Sequence, residues 1–302
     1  MHHSICILQS TTAQTGGQLR TVRHSLGRLG LGLSTTCLWT LAMVALPQFA
    51  YAESVAPDIT QLEAATDAPV ALTEQLAQVD LAANQRDLSK LIGFYSPTFT
   101  SGDGLNRKTL KQVIATFWED YPDLSYKTEL LTWEKKAQGF VVETKTTIIG
   151  TQTLDQGPVK LQSTLHSRQH WVGQQITKQE ILAEQSKLTS GRKPPKVQVN
   201  LPQEVGVGEK FEFDVIVDEP LGANPLLGLA LEEPITMENY LNQPELKLEL
   251  LPAGGLFKVG TAGNKPTSEW ISAILVQEGG MTIISQRLNV VPKSKSAKQS
   301  RK

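Results

Sequence analysis

The sequence predicts two folds in tandem, an α+β layer structure followed by an all-β sandwich. Three observations lead there. From Thr73 to Tyr121 apolar residues recur at helical spacing, and after Pro122 the period drops to two and stays there to Leu188. Beyond Ser190–Pro195 (SGRKPP), about seven short apolar runs crowd into fewer than 100 residues between Gly, Pro and Asn turns.

The elements follow in order. Thr73 reads as the N-cap of a first helix, with Leu76, Val79 and Ala83 on one face. Asp87 caps a shorter helix (LSKLIGFY) that ends before Ser96-Pro97, because a residue preceding proline is pushed out of the helical region. The piece TFTSGDG is extended, with a turn at Gly102–Gly104. Asn106 caps a third helix whose stripe is Leu110, Val113, Ile114 and Phe117. Four antiparallel strands are then predicted at Leu124–Trp133, Phe140–Thr151, Val159–Val172 and Ile176–Leu188, joined by turns at 135–139, 155–157 and 173. Three helices followed by a four-stranded meander imply a sheet wrapped over helices.

That element order resembles the nuclear transport factor 2-like superfamily, which includes ketosteroid isomerase and SnoaL-type folds. The residues that carry the resemblance are Ala82–Leu88 (AANQRDL), Phe94–Phe99 (FYSPTF) and Ser167–Ile176 (SRQHWVGQQI), and it covers about residues 73–188. It implies three helices packed on a curved sheet, a cone with a pocket between them, and frequent dimerisation. In relatives of the ketosteroid isomerase type a catalytic carboxylate follows the short strand after the second helix; the closest match here is Ser101. Asp103, two residues on and between Gly102 and Gly104, is the general-base candidate, and turn chemistry is its competing role. The superfamily's oxyanion pair finds no clear counterpart, Glu143 being an acid on the sheet without an evident partner.

Domain boundaries follow from composition. Arg20, Arg23 and Arg28, the apolar run Cys37–Leu46, Pro47 and Ala50-Tyr51-Ala52 make residues 1–52 read as a secretory signal peptide, so export to a periplasm-like compartment is expected. Retention of that segment as an N-terminal anchor is the alternative, and the only one that brings a membrane into the reading. Residues 53–72 read as a spacer, 73–189 as the α+β domain, 190–195 as a linker, 196–292 as an immunoglobulin-like β-sandwich, and 293–302 as a basic disordered tail. Both cysteines, Cys6 and Cys37, fall within 1–52, which excludes disulfides and thiolate chemistry from the remainder. Residues 53–302 hold 26 basic and 30 acidic side chains, so no bulk basic character points to nucleic acid.

The chemistry-bearing residues are few. His166 and His170 share one strand face with Arg168 between them; two imidazoles begin a metal site, but the guanidinium repels a cation, and a polar outer face is the plainer reading. Glu209, Glu212, Asp214 and Asp218 alternate with apolar residues as a half-solvated strand requires, without the loop spacing of a calcium site. No nucleophile elbow, P-loop, metalloprotease or dinucleotide fingerprint occurs. Neither a cofactor nor a metal is expected. Tyr95, Phe99, Trp118, Tyr121, Tyr126 and Trp171 are the pocket candidates, with ordinary core filling as the competing role. The function this predicts is an exported, non-catalytic protein that binds a small apolar ligand or a partner. Alternatives are a SnoaL- or ketosteroid isomerase-like enzyme, and a structural component that forms a homodimer through the sheet face.

Overall fold

In a computed structural model, residues 67–154, 157–218, 224–241, 246–251 and 254–293 are described. The expected signal segment, both cysteines and all but the first residue of the basic tail lie outside them.

Helix α1 (Val70–Asn84) starts after Pro69, which occupies the N-cap position without a side-chain cap. Thr73 is therefore inside the first turn, where its hydroxyl donates to Val70 O at 2.9 Å. The helix starts earlier than expected because Leu72 is fully buried, so packing draws Val70–Leu72 out of the expected spacer. Asp87 caps α2 (Leu88–Gly93), its side chain accepting from Lys90 N at 2.8 Å. Asn106 caps α3 (Arg107–Asp120) in a reciprocal capping box with Thr109. Strand β1 (Tyr95–Ser101) lies between α2 and α3.

The meander is longer than its sequence signal: β2 (Asp123–Lys136), β3 (Gly139–Leu154), β4 (Gly157–Val172) and β5 (Gln175–Gly191). Register shifts at Leu130/Thr132, His166/Ser167 and His170/Trp171 insert bulges, which bend strands and increase their twist. The helices pack on one face of the meander, where Leu72, Leu76, Leu91 and Phe117 share a core with Phe99 of β1 and with Val142, Ile148 and Ile176.

The second half supplies β6 (Val197–Asn200), β7 (Glu204–Gly206), β8 (Lys210–Val217), β9 (Leu227–Pro234), α4 (Met237–Leu241), β10 (Glu249–Leu250), β11 (Gly255–Thr261), β12 (Thr267–Gln277) and β13 (Gly280–Val291). Two expectations need correction. A fourth helix, α4, stands in the second half, where only strands were expected. The sandwich is also not a separate sheet pair, because β13 pairs with β5 from Gly280↔Gly191 to Gln286↔Gln185. Ser190 and Gly191, expected in a linker, close β5. One ten-stranded sheet results, in the order β10-β9-β12-β13-β5-β4-β3-β2, with β1 paired to β5 and β7 paired to β13 off that path.

A three-stranded sheet, β11-β8-β6, covers one face of the second half. Its Phe211, Phe213, Val215 and Leu256 pack against Ile271, Ala273, Leu275 and Leu288 of β12 and β13. The opposite face of the same hairpin gives Ile274 and Ile283 to the first core. Burial on both faces is why WISAIL reads as an unbroken run instead of an alternation.

Candidate functional site

The site is set by how β5 shares one edge. Its first residues pair with β1 as far as Ser101↔Gln179, and its last pair with β13 from Gln286↔Gln185. Residues 180–184 lie between the two partners. The turn after β1 and the strand after Gln286 converge on this gap: Gly102 N donates to Gln179 O at 2.8 Å, and the Asn289 side chain donates to Leu182 O at 2.8 Å.

Into the gap come Asp103 from that turn and Arg287 from β13. Arg287 Nη1 and Nη2 donate to Asp103 Oδ1 and Oδ2 at 2.9 and 2.8 Å, a bidentate pair. Nη2 also reaches Glu184 Oε2 at 3.5 Å, and Trp270 Nε1 donates to the same oxygen at 3.2 Å. Tyr240 of α4 donates its hydroxyl to Asp103 Oδ2 at 2.9 Å and meets Trp270 edge to face. Side-chain exposure is 1% for Arg287 and 7% for Asp103, so water screens this pair little. Burial, then the Asp103 and Glu184 carboxylates, push the Tyr240 phenol well above its ordinary range. Burial acts against the Arg287 cation, but the Asp103 and Glu184 carboxylates outweigh it and raise the guanidinium further.

A cavity of about 210 Å³ opens between helices and sheet beside this network. Its wall is mostly apolar: Leu76, Val79 and Ala83 of α1; Leu110, Val113, Ile114 and Phe117 of α3; Ile148, Leu165 and Ile181 of the sheet. Asp103, Glu184 and Tyr240 stand at one part of the wall. Asp80 stands at another, accepting from Thr128 N and Oγ1, both at 2.6 Å, with Thr146 Oγ1 3.0 Å from Thr128 Oγ1.

Of the six aromatic candidates, Tyr95, Phe99 and Tyr126 line the cavity; Trp118, Tyr121 and Trp171 do not. Trp118 lies behind the wall and donates Nε1 to Tyr126 Oη at 2.8 Å. Tyr121 is wholly buried at the end of α3, against Phe117. Trp171 donates to Gln169 Oε1 at 3.0 Å within the core. Burial pushes the Tyr95 phenol up to about 12. The Tyr126 phenol is likewise raised, by burial against the opposing pull of Trp118 and Arg86.

Asp103 is thus in the site, but as an anion clamped by Arg287 rather than a turn residue facing water. Arg287, Glu184 and Tyr240 went unread in the sequence. The one available signal was an arginine inside an apolar strand pattern, SQRLNVV, where a charge needs a partner.

The outer face of the meander is a separate polar surface. His166 and Arg168 both bind Glu143, at 3.0 and 2.7 Å, giving that acid the partners its sequence context did not reveal. Burial acts to raise Glu143, but Arg168 and His166 hold it below the usual carboxylate range. Lys127 and Lys145 flank Glu129 on the same face. Among the described residues there is no group of three metal-ligating side chains, and no helix is long and apolar enough to cross a membrane.

A family model described as a domain of unknown function (DUF8623) matches residues 192–291. No curated protein matches the chain. Solved structures to which it is similar include Bd1075 of Bdellovibrio bacteriovorus, at TM-score 0.28 and 14% identity over 37% of this chain and 38% of that one. The chain therefore spans well under half the length of Bd1075. A protein described as a scytalone dehydratase, from Novosphingobium aromaticivorans, is similar at TM-score 0.32 and 11% identity, over 37% of this chain and 80% of that one. A loop-truncated variant of IdmH is similar at TM-score 0.28 and 14% identity, over 36% and 89%.

Proposed function

We propose that residues 70–191 form a nuclear transport factor 2-like cone, and that the protein binds a small, largely apolar molecule in its cavity. The cavity itself carries this reading: apolar spaces of about 150 Å³ hold a benzene-sized molecule, so 210 Å³ has room for a two-ring one. A purely structural component would need no such space. Binding is favoured over proton transfer because the carboxylates on the wall are already engaged. Asp80 is held by Thr128, Asp103 by Arg287 and Tyr240, and Glu184 by Trp270 and Arg287. A general base must instead be within reach of a substrate proton and poised near the working pH.

The second half acts in this reading as part of the site, because α4 and β13 supply Tyr240 and Arg287. Its immunoglobulin-like character and export of the chain belong to the same proposal, resting on strand density and on residues 20–52.

Calorimetric titration with 2-naphthylmethanol tests the cavity. Saturable one-to-one binding is expected, together with its loss in Val113→Trp, which fills the space from α3. Equal binding by the filled variant refutes a cavity site.

A further inference from the structure

Strand pairing brings three neutral polar side chains together on the cavity wall. Ser101 of β1 is the partner of Gln179 of β5, and Gln179 is the partner of Gln169 of β4. Partners across strands share a face, and all three residues line the cavity. The charges of the same stretches go to the other side. Arg168 reaches Glu143 and Glu180 there, and Lys178 reaches Glu180. Two glutamines therefore face a mostly apolar space, where aliphatic side chains would complete the wall without desolvating an amide.

Each member of the row has a defined hydrogen-bonding sense. An indole N–H only donates, so the Gln169 atom 3.0 Å from Trp171 Nε1 is the carbonyl oxygen, and the NH2 end is the one left for the cavity. Leu105 N donates to Ser101 Oγ at 2.9 Å, which leaves the Ser101 hydroxyl its own proton to donate. Gln179 stands between the two. Its backbone carbonyl accepts from Gly102 N at 2.8 Å, which pins the strand, while its side chain carries both a donor and an acceptor. The row thus presents donors at both ends and an amide of either sense in the middle. A carboxamide, which accepts and donates within one planar group, is its complement.

Charge disfavours the other polar heads. Asp80, Asp103 and Glu184 on the wall are all acidic and all hold partners, and among the described residues no lysine, arginine or histidine lines the cavity. A carboxylate would meet like charge with no cation on the wall to pair it, and an ammonium would meet donors along the row. We infer that the cavity takes a neutral carboxamide carried on an apolar body of about two rings, with the carboxamide at Ser101, Gln179 and Gln169. This rests on the cavity being a ligand site.

Three probes of similar size separate the head group from the fit: 2-naphthamide, 2-acetonaphthone and 2-naphthoate, titrated calorimetrically into the full chain at pH 7. The amide is expected to bind at least about tenfold tighter than the ketone, which lacks the N–H, and the carboxylate weakest. Gln179→Leu is expected to cut the amide's advantage below about threefold while leaving the ketone within about twofold of its original affinity. Gln162→Leu, at an exposed position of β4, is expected to keep the order intact. A ketone that binds as tightly as the amide, or a carboxylate that binds tightest, overturns the carboxamide inference but leaves the cavity reading standing. Failure of all three probes while 2-naphthylmethanol still binds has the same meaning, and failure of all four overturns both readings. An amide advantage that survives Gln179→Leu, or is lost equally in Gln162→Leu, overturns the placement. Should Gln179→Leu fail to fold by circular dichroism, the order of the three probes on the unaltered protein decides the inference.

Discussion

Replacing Arg287 with methionine is the most direct probe of how the two halves are joined. The change removes two charge-assisted hydrogen bonds to Asp103, at 2.8 and 2.9 Å, and the longer contact to Glu184. Methionine replaces much of the apolar stem, so lost volume contributes little. What remains is the electrostatic cost of Asp103 left inside the protein without its cation. Hydrogen bonds to charged groups contribute about 1.5–3 kcal/mol each, while removing one partner of a buried pair costs about 3–5 kcal/mol. At 1% and 7% exposure, Arg287 and Asp103 belong to the buried case. A loss of about 3–5 kcal/mol at pH 7 is expected, read by urea unfolding followed in parallel by tryptophan fluorescence and far-ultraviolet circular dichroism. Both probes should shift together, since β5 and β13 belong to one sheet. Adding Asp103→Asn to the variant removes the stranded charge and should recover at least half of the loss. A loss under about 1 kcal/mol, or no recovery in the double variant, refutes a buried, desolvated pair.

Other expectations are narrower. Arg86, at φ 56°, reaches from the end of α1 to Tyr121 O at 3.1 Å and to Trp118 O and Pro122 O, binding carbonyls at the end of α3. Arg86→Ala should cost about 1–3 kcal/mol in urea unfolding, and Arg86→Lys should recover only part, lacking the planar fork. Gly191→Ala should cost more than about 2 kcal/mol, because φ is 95° and a Cβ would lie 2.5 Å from Gly279 O. Gly173→Ala, at φ 58° in open space, should cost only about 1 kcal/mol, and equal losses would refute the close β5–β13 approach. Burial and then neighbouring Glu232 raise the Glu269 carboxyl above its ordinary value. The folded state therefore holds that proton to higher pH than the unfolded chain, and stability falls as pH rises from the unfolded to the folded value. Glu269→Gln should raise the urea midpoint at pH 7 and leave it unchanged below about pH 4, where glutamate is protonated in both states.

Much of the first half was legible in its own residues. Asp87 and Asn106 cap the helices they were expected to cap, because a cap is a contact between residues two or three apart. The meander was visible for the same reason, since alternation and turn residues act locally. Thr73 misled because the burial of Leu72, a tertiary contact, sets the start of α1. SGRKPP misled because Ser190 and Gly191 carry the composition of a linker, whereas their partners Met281 and Gly280 are contributed by a distant hairpin. The aromatic candidates divided evenly between wall and core, because side-chain type does not record which face of an element meets a cavity.

By itself the sequence determined the element types, their order and the periods of their apolar faces, all of which rest on neighbours within a few residues. Only the tertiary structure decided that β5 gives one edge to β1 and β13 in turn, leaving a gap that Asp103 and Arg287 fill across 184 positions of chain. A single aspartate in a glycine turn and a single arginine in a strand have no local sign of each other. Their pairing exists because the fold removes water from both, and each then needs the other's charge.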